Sequence, residues 1–257
     1  HFWTPDVYQG APTSITGFMA VVVKAAAFGT FLRIMHTSFA SIPEVWTGML
    51  WILAVLSMCY GNIVALRQKS LKRMLAYSSI AHAGYALVGF LALGSNGGAE
   101  ATLFYLIAYS FMTIGAFGVV LFVTSDSDAQ YCSDDISSFS GLGWTHPCLG
   151  IYMVIFMLSL AGMPPLVGFI GKFYLFNAAV QGGFVGLAII AALNSVVSLY
   201  YYLRVLVVMY FEKERRVDWL PPADVAYPQK LALTIACFFT IYLLSLIHIS
   251  EPTRLTS

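Results

Sequence analysis

Two lysines and a histidine stand in this sequence where polar side chains are hard to keep. Lys24 lies between Val21-Val22-Val23 and Ala25-Ala26-Ala27. Lys172 follows Gly168 and Gly171 in another apolar run, beyond Pro164-Pro165. His82 occupies a third run, and Tyr105, Tyr109 and Thr113 a fourth, at a four-residue spacing that puts them on one helix face. Arg204 is the remaining basic residue inside such a run, while all 12 Asp and Glu fall in loops, at run ends or in the tail. An ionised lysine deep in hydrocarbon costs several kcal/mol. It is kept by shedding its proton, by a carboxylate supplied from elsewhere, or by water. A lysine that moves between charged and neutral forms is in principle a proton carrier. A histidine, which titrates near neutrality, suits proton hand-off. Lys24, Lys172 and His82 are therefore candidates for a proton path, the structural alternatives being lysines that reach the interface or pair between helices and a satisfied core histidine. Tyr105, Tyr109 and Thr113 are balanced between that path and plain helix-packing hydrogen bonds. Arg204 lies close enough to the end of its run to snorkel, which favours a structural role. Taken in order, Lys24, His82, Tyr109 and Lys172 could form a polar line along a membrane midplane, although spacing alone leaves open whether they touch.

The elements that must position these groups are membrane helices. Of 257 residues, 59% are apolar and 10% charged, against roughly 45–50% and about 25% in soluble domains. Mean hydropathy is +0.80. These values exclude a water-soluble enzyme and a disordered chain. A net charge of +1 without a basic run argues against a nucleic-acid partner. Cys59, Cys132, Cys148 and Cys237 stand far apart, with no CxxC or Cys/His cluster, so neither a metal site nor a disulfide framework is expected. No dinucleotide-binding fingerprint is present.

A bilayer core needs about 20 apolar residues in a helix. Runs of that kind are predicted over 12–33, 45–66, 72–93, 99–123, 147–179, 183–211 and from about 231. The fifth is too long for one straight helix and is broken at Gly162-Met163-Pro164-Pro165. Such a break is tolerated only inside protein or beside a wet cavity. The 124–146 loop is acidic, with Asp126, Asp128, Asp134 and Asp135, and the 212–229 loop carries both signs. If the spans alternate, one face gathers Arg67, Lys69, Lys72, Arg73, Lys213, Arg215, Arg216 and Lys230, the other only Arg33 and Arg254. That bias assigns the first face, with residues 1–12, to the cytoplasm. The chain starts at His1 and is expected to be part of a longer membrane protein. Its last run turns polar at His248; residues 246–257 read either as a non-native or unstructured tail, with SLIHISEPTR resembling adapter read-through, or as the polar end of a short span.

HFWTPDVYQGAPTSITGF, VVVKAAAFG, SLKRMLAYSSIAHAGY, LSLAGMPPLVGFIGKFYLF and SLYYYLRV together resemble the antiporter-like membrane subunits of respiratory complex I, over residues 1–245. Within that family the chain looks like the N type: Tyr109 stands where the L and M types and cation/proton antiporters carry a histidine, and Thr113 where the L type carries a lysine. The resemblance implies an all-α polytopic bundle with a discontinuous helix, forming one transmembrane domain over residues 1–245. These would be helices 8 to 14 of fourteen, the second of two inverted repeats, with most of the first repeat preceding His1. It implies that Lys24 is the helix-8 lysine that links two half-channels, that Lys172 is the lysine of the broken helix 12, and that His82 is the histidine of helix 10. It further implies a proton-translocating subunit of NADH–quinone oxidoreductase in a bacterial inner membrane, with no redox centre of its own. NADH, FMN, iron–sulfur clusters and quinone would be used by the parent complex. M-type, J-type and K-type membrane-arm subunits and lipid would be the neighbours. A cation/proton antiporter of the Mrp type is the alternative, and a structural spacer with idle lysines is disfavoured by the cost of charge in lipid.

Overall fold

The computed structural model describes residues 2–39, 41–93, 97–124, 134–212 and 227–250, with side chains over 229–243 in the last segment. All the long elements are helices. They are α1 (Thr4–Gly10), α2 (Thr13–Phe18), a π turn (Met19–Val23), α3 (Lys24–Thr37), α4 (Pro43–Ala65), α5 (Leu71–Leu91) and α6 (Gly98–Thr124). A 3-10 turn (Ile136–Phe139) precedes α7 (Leu142–Thr145), α8 (Pro147–Ala161), α9 (Val167–Gln181), α10 (Val185–Phe211) and α11 (Tyr227–Ser250). The α2–π–α3 unit is one continuous span, Thr13–Thr37; with α4, α5, α6 and α10 it makes, among the described residues, five helices long and apolar enough to cross a membrane. The pair α8 and α9 takes up the predicted run 147–179, interrupted at 162–166.

Sequence sets these boundaries locally. Pro43 and Pro147 open α4 and α8, where a missing amide hydrogen costs nothing. Ser70 caps α5, its hydroxyl accepting from the Arg73 amide at 3.3 Å. The backbone of α11 is helical through residue 250, so it enters the stretch expected as a tail; residues 251–257 lie outside the described residues.

Burial is uneven, and the unevenness locates the site. In α5 89% of the membrane-length window is buried, against 22% in the Thr13–Thr37 span. Its sequence explains this: small residues such as Ala76, Ser78, Ser79, Ala81 and Gly84 let neighbours approach from every side. Helix α5 is thus the central post, and its one histidine is surrounded by protein. The outer helices keep large apolar residues exposed, among them Ile52, Leu56, Ile63, Leu193 and Val196, as a chain solvated by lipid tails does.

One end of the bundle is tied by charge. Arg73 pairs with Asp6 of α1 at 2.8 Å and donates to Gln9 at 3.0 Å. Lys72 pairs with Asp134 at 3.2 Å. The Leu71 amide donates to the Asp134 carbonyl at 2.7 Å, and that of Ile136 to the Lys69 carbonyl at 2.8 Å. Asp134, Asp135 and Ile136 therefore lie on the turn before α5. Asp126, Asp128, Lys213, Arg215, Arg216 and Arg254 are outside the described residues. Arg204 donates to the Gln68 carbonyl at 3.2 Å, so it joins α10 to the same end.

Candidate functional site

The helix break builds the Lys172 site. The last four carbonyls of an α-helix have no partner within it. In α8 all four are taken. Gly162 adopts a left-handed φ of 86°, which turns the chain back. Its amide donates to the Leu158 and Ser159 carbonyls at 3.1 and 3.0 Å, and the Met163 amide to Leu158 at 3.0 Å. The remaining two, Leu160 and Ala161, accept from Lys172 Nζ at 3.1 and 2.9 Å. Ser195 Oγ on α10 is the third acceptor, at 3.0 Å. The ammonium thus sits at the negative end of the α8 dipole and lies over the Tyr85 ring, 5.1 Å from its centroid. Lys172 is 3% exposed. On the far side of the break, the Gly168 amide donates to Ser159 Oγ at 3.1 Å. A side chain on Gly168 would meet the Ser159 carbonyl oxygen at 1.8 Å, so α8 and α9 pack this closely only because residue 168 is glycine.

The Lys24 site is also built from neutral acceptors. Lys24 follows the π turn directly. Its Nζ donates to Ser79 O and Ser79 Oγ, both at 2.5 Å, and to Tyr109 Oη at 3.3 Å. The same nitrogen lies 4.7 Å from the Tyr109 ring centroid. Thr113 is buried one turn along from Tyr109, and its hydroxyl has no hydrogen-bond partner among the described residues. Tyr8 of α1 packs edge-on against Phe117 at 6.3 Å, beneath this site. Burial and the nearby Tyr109 push the Tyr8 phenol up, and a hydrogen bond with Ser79 offsets part of that.

His82 lies between the lysine sites, 2% exposed. Its Nδ1 is 2.6 Å from Tyr105 Oη, its Nε2 3.1 Å from Tyr202 Oη. Tyr202 donates onward to Ser78 Oγ at 2.8 Å. Its oxygen is then free to accept from Nε2–H, leaving Nδ1 to accept from Tyr105. The His82 ring touches Tyr109 at 4.9 Å and Tyr85 at 5.8 Å between centroids.

The sequence-predicted line is therefore assembled from four helices, in the spatial order Lys24, Tyr109, His82, Lys172. Tyr85 and Tyr105 fill the spaces around His82. Hydrogen bonds join Lys24 to Tyr109, and His82 to Tyr105; ring contacts join Tyr109 to His82. The described residues hold two ion pairs, Lys72–Asp134 and Arg73–Asp6, and neither lysine of the line is in them. Sequence reasoning missed Tyr85, Tyr202, Ser78, Ser79 and Ser195, and a second buried cluster in which Tyr201 donates to Asn62 Oδ1 at 2.9 Å. The signal for that cluster was Asn62 and Asn194, each a lone amide in an apolar run.

The family model described as NADH:quinone oxidoreductase/Mrp antiporter, TM, matches residues 1–198. NADH-quinone oxidoreductase subunit N of Trichlorobacter lovleyi is 52% identical over 237 residues, 92% of this chain and 47% of that one. The subunit of the same name in Mycobacterium bovis is 46% identical over 215 residues, 83% and 40% of the two chains. A solved chain of respiratory complex I from Thermus thermophilus with bound aureothin is 38% identical, with a TM-score of 0.80, covering 98% of this chain and 54% of that one. A chain of the Mrp complex from Dietzia sp. has a TM-score of 0.85 at 19% identity, covering 97% and 53%, a likeness of fold alone. The chain spans about half the length of the curated relatives it matches. The resemblance carried by the motifs is borne out, and the curated relatives are of the N type. With its helical bundle, its broken helix and these relatives, the chain belongs to the NADH:quinone oxidoreductase/Mrp antiporter transmembrane family.

Proposed function

We propose that this chain moves protons across a bacterial membrane as part of an NADH–quinone oxidoreductase, through Lys24, Tyr109, His82 and Lys172. The observation that carries the reading is the pair of lysine sites: each ammonium meets three acceptors, and all six are uncharged oxygens. Dipoles solvate the protonated form, yet among the described residues no carboxylate pairs with either lysine. A charge arriving nearby then tips the balance: two unit charges at 4 Å and an effective dielectric of 20 interact by about 4 kcal/mol. His82, between two tyrosines, is placed to take a proton at one ring nitrogen and give one up at the other. The ring contact between Tyr109 and His82 is crossed by a water or by a rotamer change. The roles of Thr113 and Tyr105 in this reading are to line that crossing.

NADH, FMN, iron–sulfur clusters and quinone would belong to other subunits, and the electron chemistry with them. M-, J- and K-type subunits and lipid are the proposed neighbours of the exposed apolar faces. The test is proton uptake into vesicles carrying the parent complex, measured beside NADH oxidation by an artificial acceptor. Lys24→Ala and Lys172→Ala are each expected to lower proton uptake about tenfold or more with the acceptor rate unchanged. Replacement by Arg is not expected to restore it, because a guanidinium keeps its proton at any working pH. Wild-type uptake in both alanine variants would make the lysines structural and overturn the reading.

A further inference from the structure

Of the groups around the Lys172 ammonium, two do not come from the broken helix: the Ser195 hydroxyl and the Tyr85 ring. Both are tied to one side chain on a different helix, Asn62 of α4. Asn62 is completely buried. Its amide nitrogen donates to Tyr85 Oη at 3.4 Å, and to Asn194 O and Oδ1 at 3.2 and 3.1 Å. Its amide oxygen accepts from Tyr201 at 2.9 Å. Asn194 immediately precedes Ser195, and is itself anchored to the Ile190 carbonyl at 3.0 Å. An amide that only joined α4 to α10 would need Asn194 and Tyr201; the bond to Tyr85 reaches across to α5 as well.

We propose that Asn62 is a positioning residue for Lys172: it fixes the ring below the ammonium and the helix turn that presents Ser195 to it. The proposal rests on the reading of Lys172 as part of a proton path. Without Asn62, Tyr85 loses its hydrogen bond and Asn194 the partner of its carboxamide oxygen. An unpaired buried group is strongly disfavoured, so both move toward other partners. The ammonium then keeps its two α8 carbonyls but loses its best-placed third acceptor and the ring face. Together those groups favour the charged form over the neutral one, so the lysine holds its proton less firmly once they shift. Other titratable groups near Lys172 are His82 and Tyr85 on α5, with Cys59 on α4 behind Asn194, while Tyr105 of α6 lies against the neighbouring Gly171. From α8 and α10 it receives carbonyl oxygens and the Ser195 hydroxyl. None of these groups is altered by the variants used below except Ser195.

The experiment measures proton uptake per NADH oxidised in vesicles of the parent complex, across a pH series, for Asn62→Leu, Ser195→Ala and Lys172→Ala. Asn62→Leu and Ser195→Ala are each expected to pump at least about threefold less at alkaline pH, with the alkaline limb of the profile displaced to lower pH. A packing role alone would scale the whole profile without moving the limb. If Asn62→Leu does not assemble, Ser195→Ala, which removes one hydroxyl, decides by the same limb. A wild-type profile, or one merely scaled down, in the assembled variants overturns the proposal if Lys172→Ala has lost pumping. Wild-type pumping in Lys172→Ala overturns the proton-path reading itself and the proposal with it.

Discussion

A buried lysine that has no countercharge among the described residues is defined by the neutral groups around it. At Lys172 the two carbonyls left over by the α8 terminus act as ligands, and at Lys24 a single serine supplies both a carbonyl and a hydroxyl. In the proposed path His82 extends the same logic, held between the phenols of Tyr105 and Tyr202. His82→Leu is expected to slow proton pumping severalfold while the complex still assembles. The cost to stability is the loss of an acceptor for Tyr105 and a donor for Tyr202, about 1–3 kcal/mol for each group left unpaired. Proton uptake and the yield of intact complex, measured together, separate the two effects; wild-type uptake would reduce His82 to a packing residue. Lys24, Lys172 and His82 were legible in the sequence because polarity inside an apolar run is costly and therefore conspicuous. Tyr85, Tyr105 and Tyr202 were harder to rank, because a tyrosine in a membrane helix fits the core, the interface or a relay equally well. Which of these it does depends on helix rotation, and a sequence does not state that.

At the scale of elements, the seven apolar runs correspond to the observed helices, since the bilayer dictates their length and the charges mark their ends. The break at 162–166 was equally plain, because Pro164-Pro165 cannot continue a helix. What could not be read was how the two halves meet. That is decided by Gly168, whose α carbon faces the Ser159 carbonyl too closely for any side chain. Gly168→Ala is therefore expected to push α8 from α9 and lower the thermal stability of the detergent-solubilised complex, by about 1–3 kcal/mol or more because a backbone atom must yield. Gly186→Ala, at a position with nothing within 4 Å of the added carbon, serves as the comparison and should be tolerated. Equal stability of the two variants would show that the α8–α9 contact is looser than drawn. The π turn at Met19–Val23 was also invisible in sequence, for no proline or glycine marks it.

For the whole molecule, the consequence of helices joined end to end by turns is sidedness. Residues 2–12, the 66–70 turn and the segment from Asp134 to Thr145 share one end, where Asp6, Lys72, Arg73 and Asp134 pair. The C-terminus of α3, the N-terminus of α4 and the turn at 182–184 belong to the other. The charge bias expected from sequence places the first end in the cytoplasm. Native Cys148, exposed near the start of α8, and a cysteine at Lys69 should then react with a membrane-impermeant maleimide only from the cytoplasmic side. A cysteine at Gln181 should react only from the opposite side. Labelling of Cys148 and Gln181→Cys from the same face would contradict the alternation of spans, and labelling of Lys69→Cys from the outside alone would invert it.

The π turn before Lys24 makes chain length itself a determinant of where that lysine points. A π turn stores one residue more than an α turn over the same advance. A chain one residue shorter across Met19–Val23 could close the span as plain α-helix and still aim Lys24 at Ser79 and Tyr109. The same five residues rewound without a deletion would swing Lys24 by about 100° around the helix, toward the outer surface. In aligned relatives, a one-residue gap here would thus mark a conserved direction for the lysine rather than a lost one.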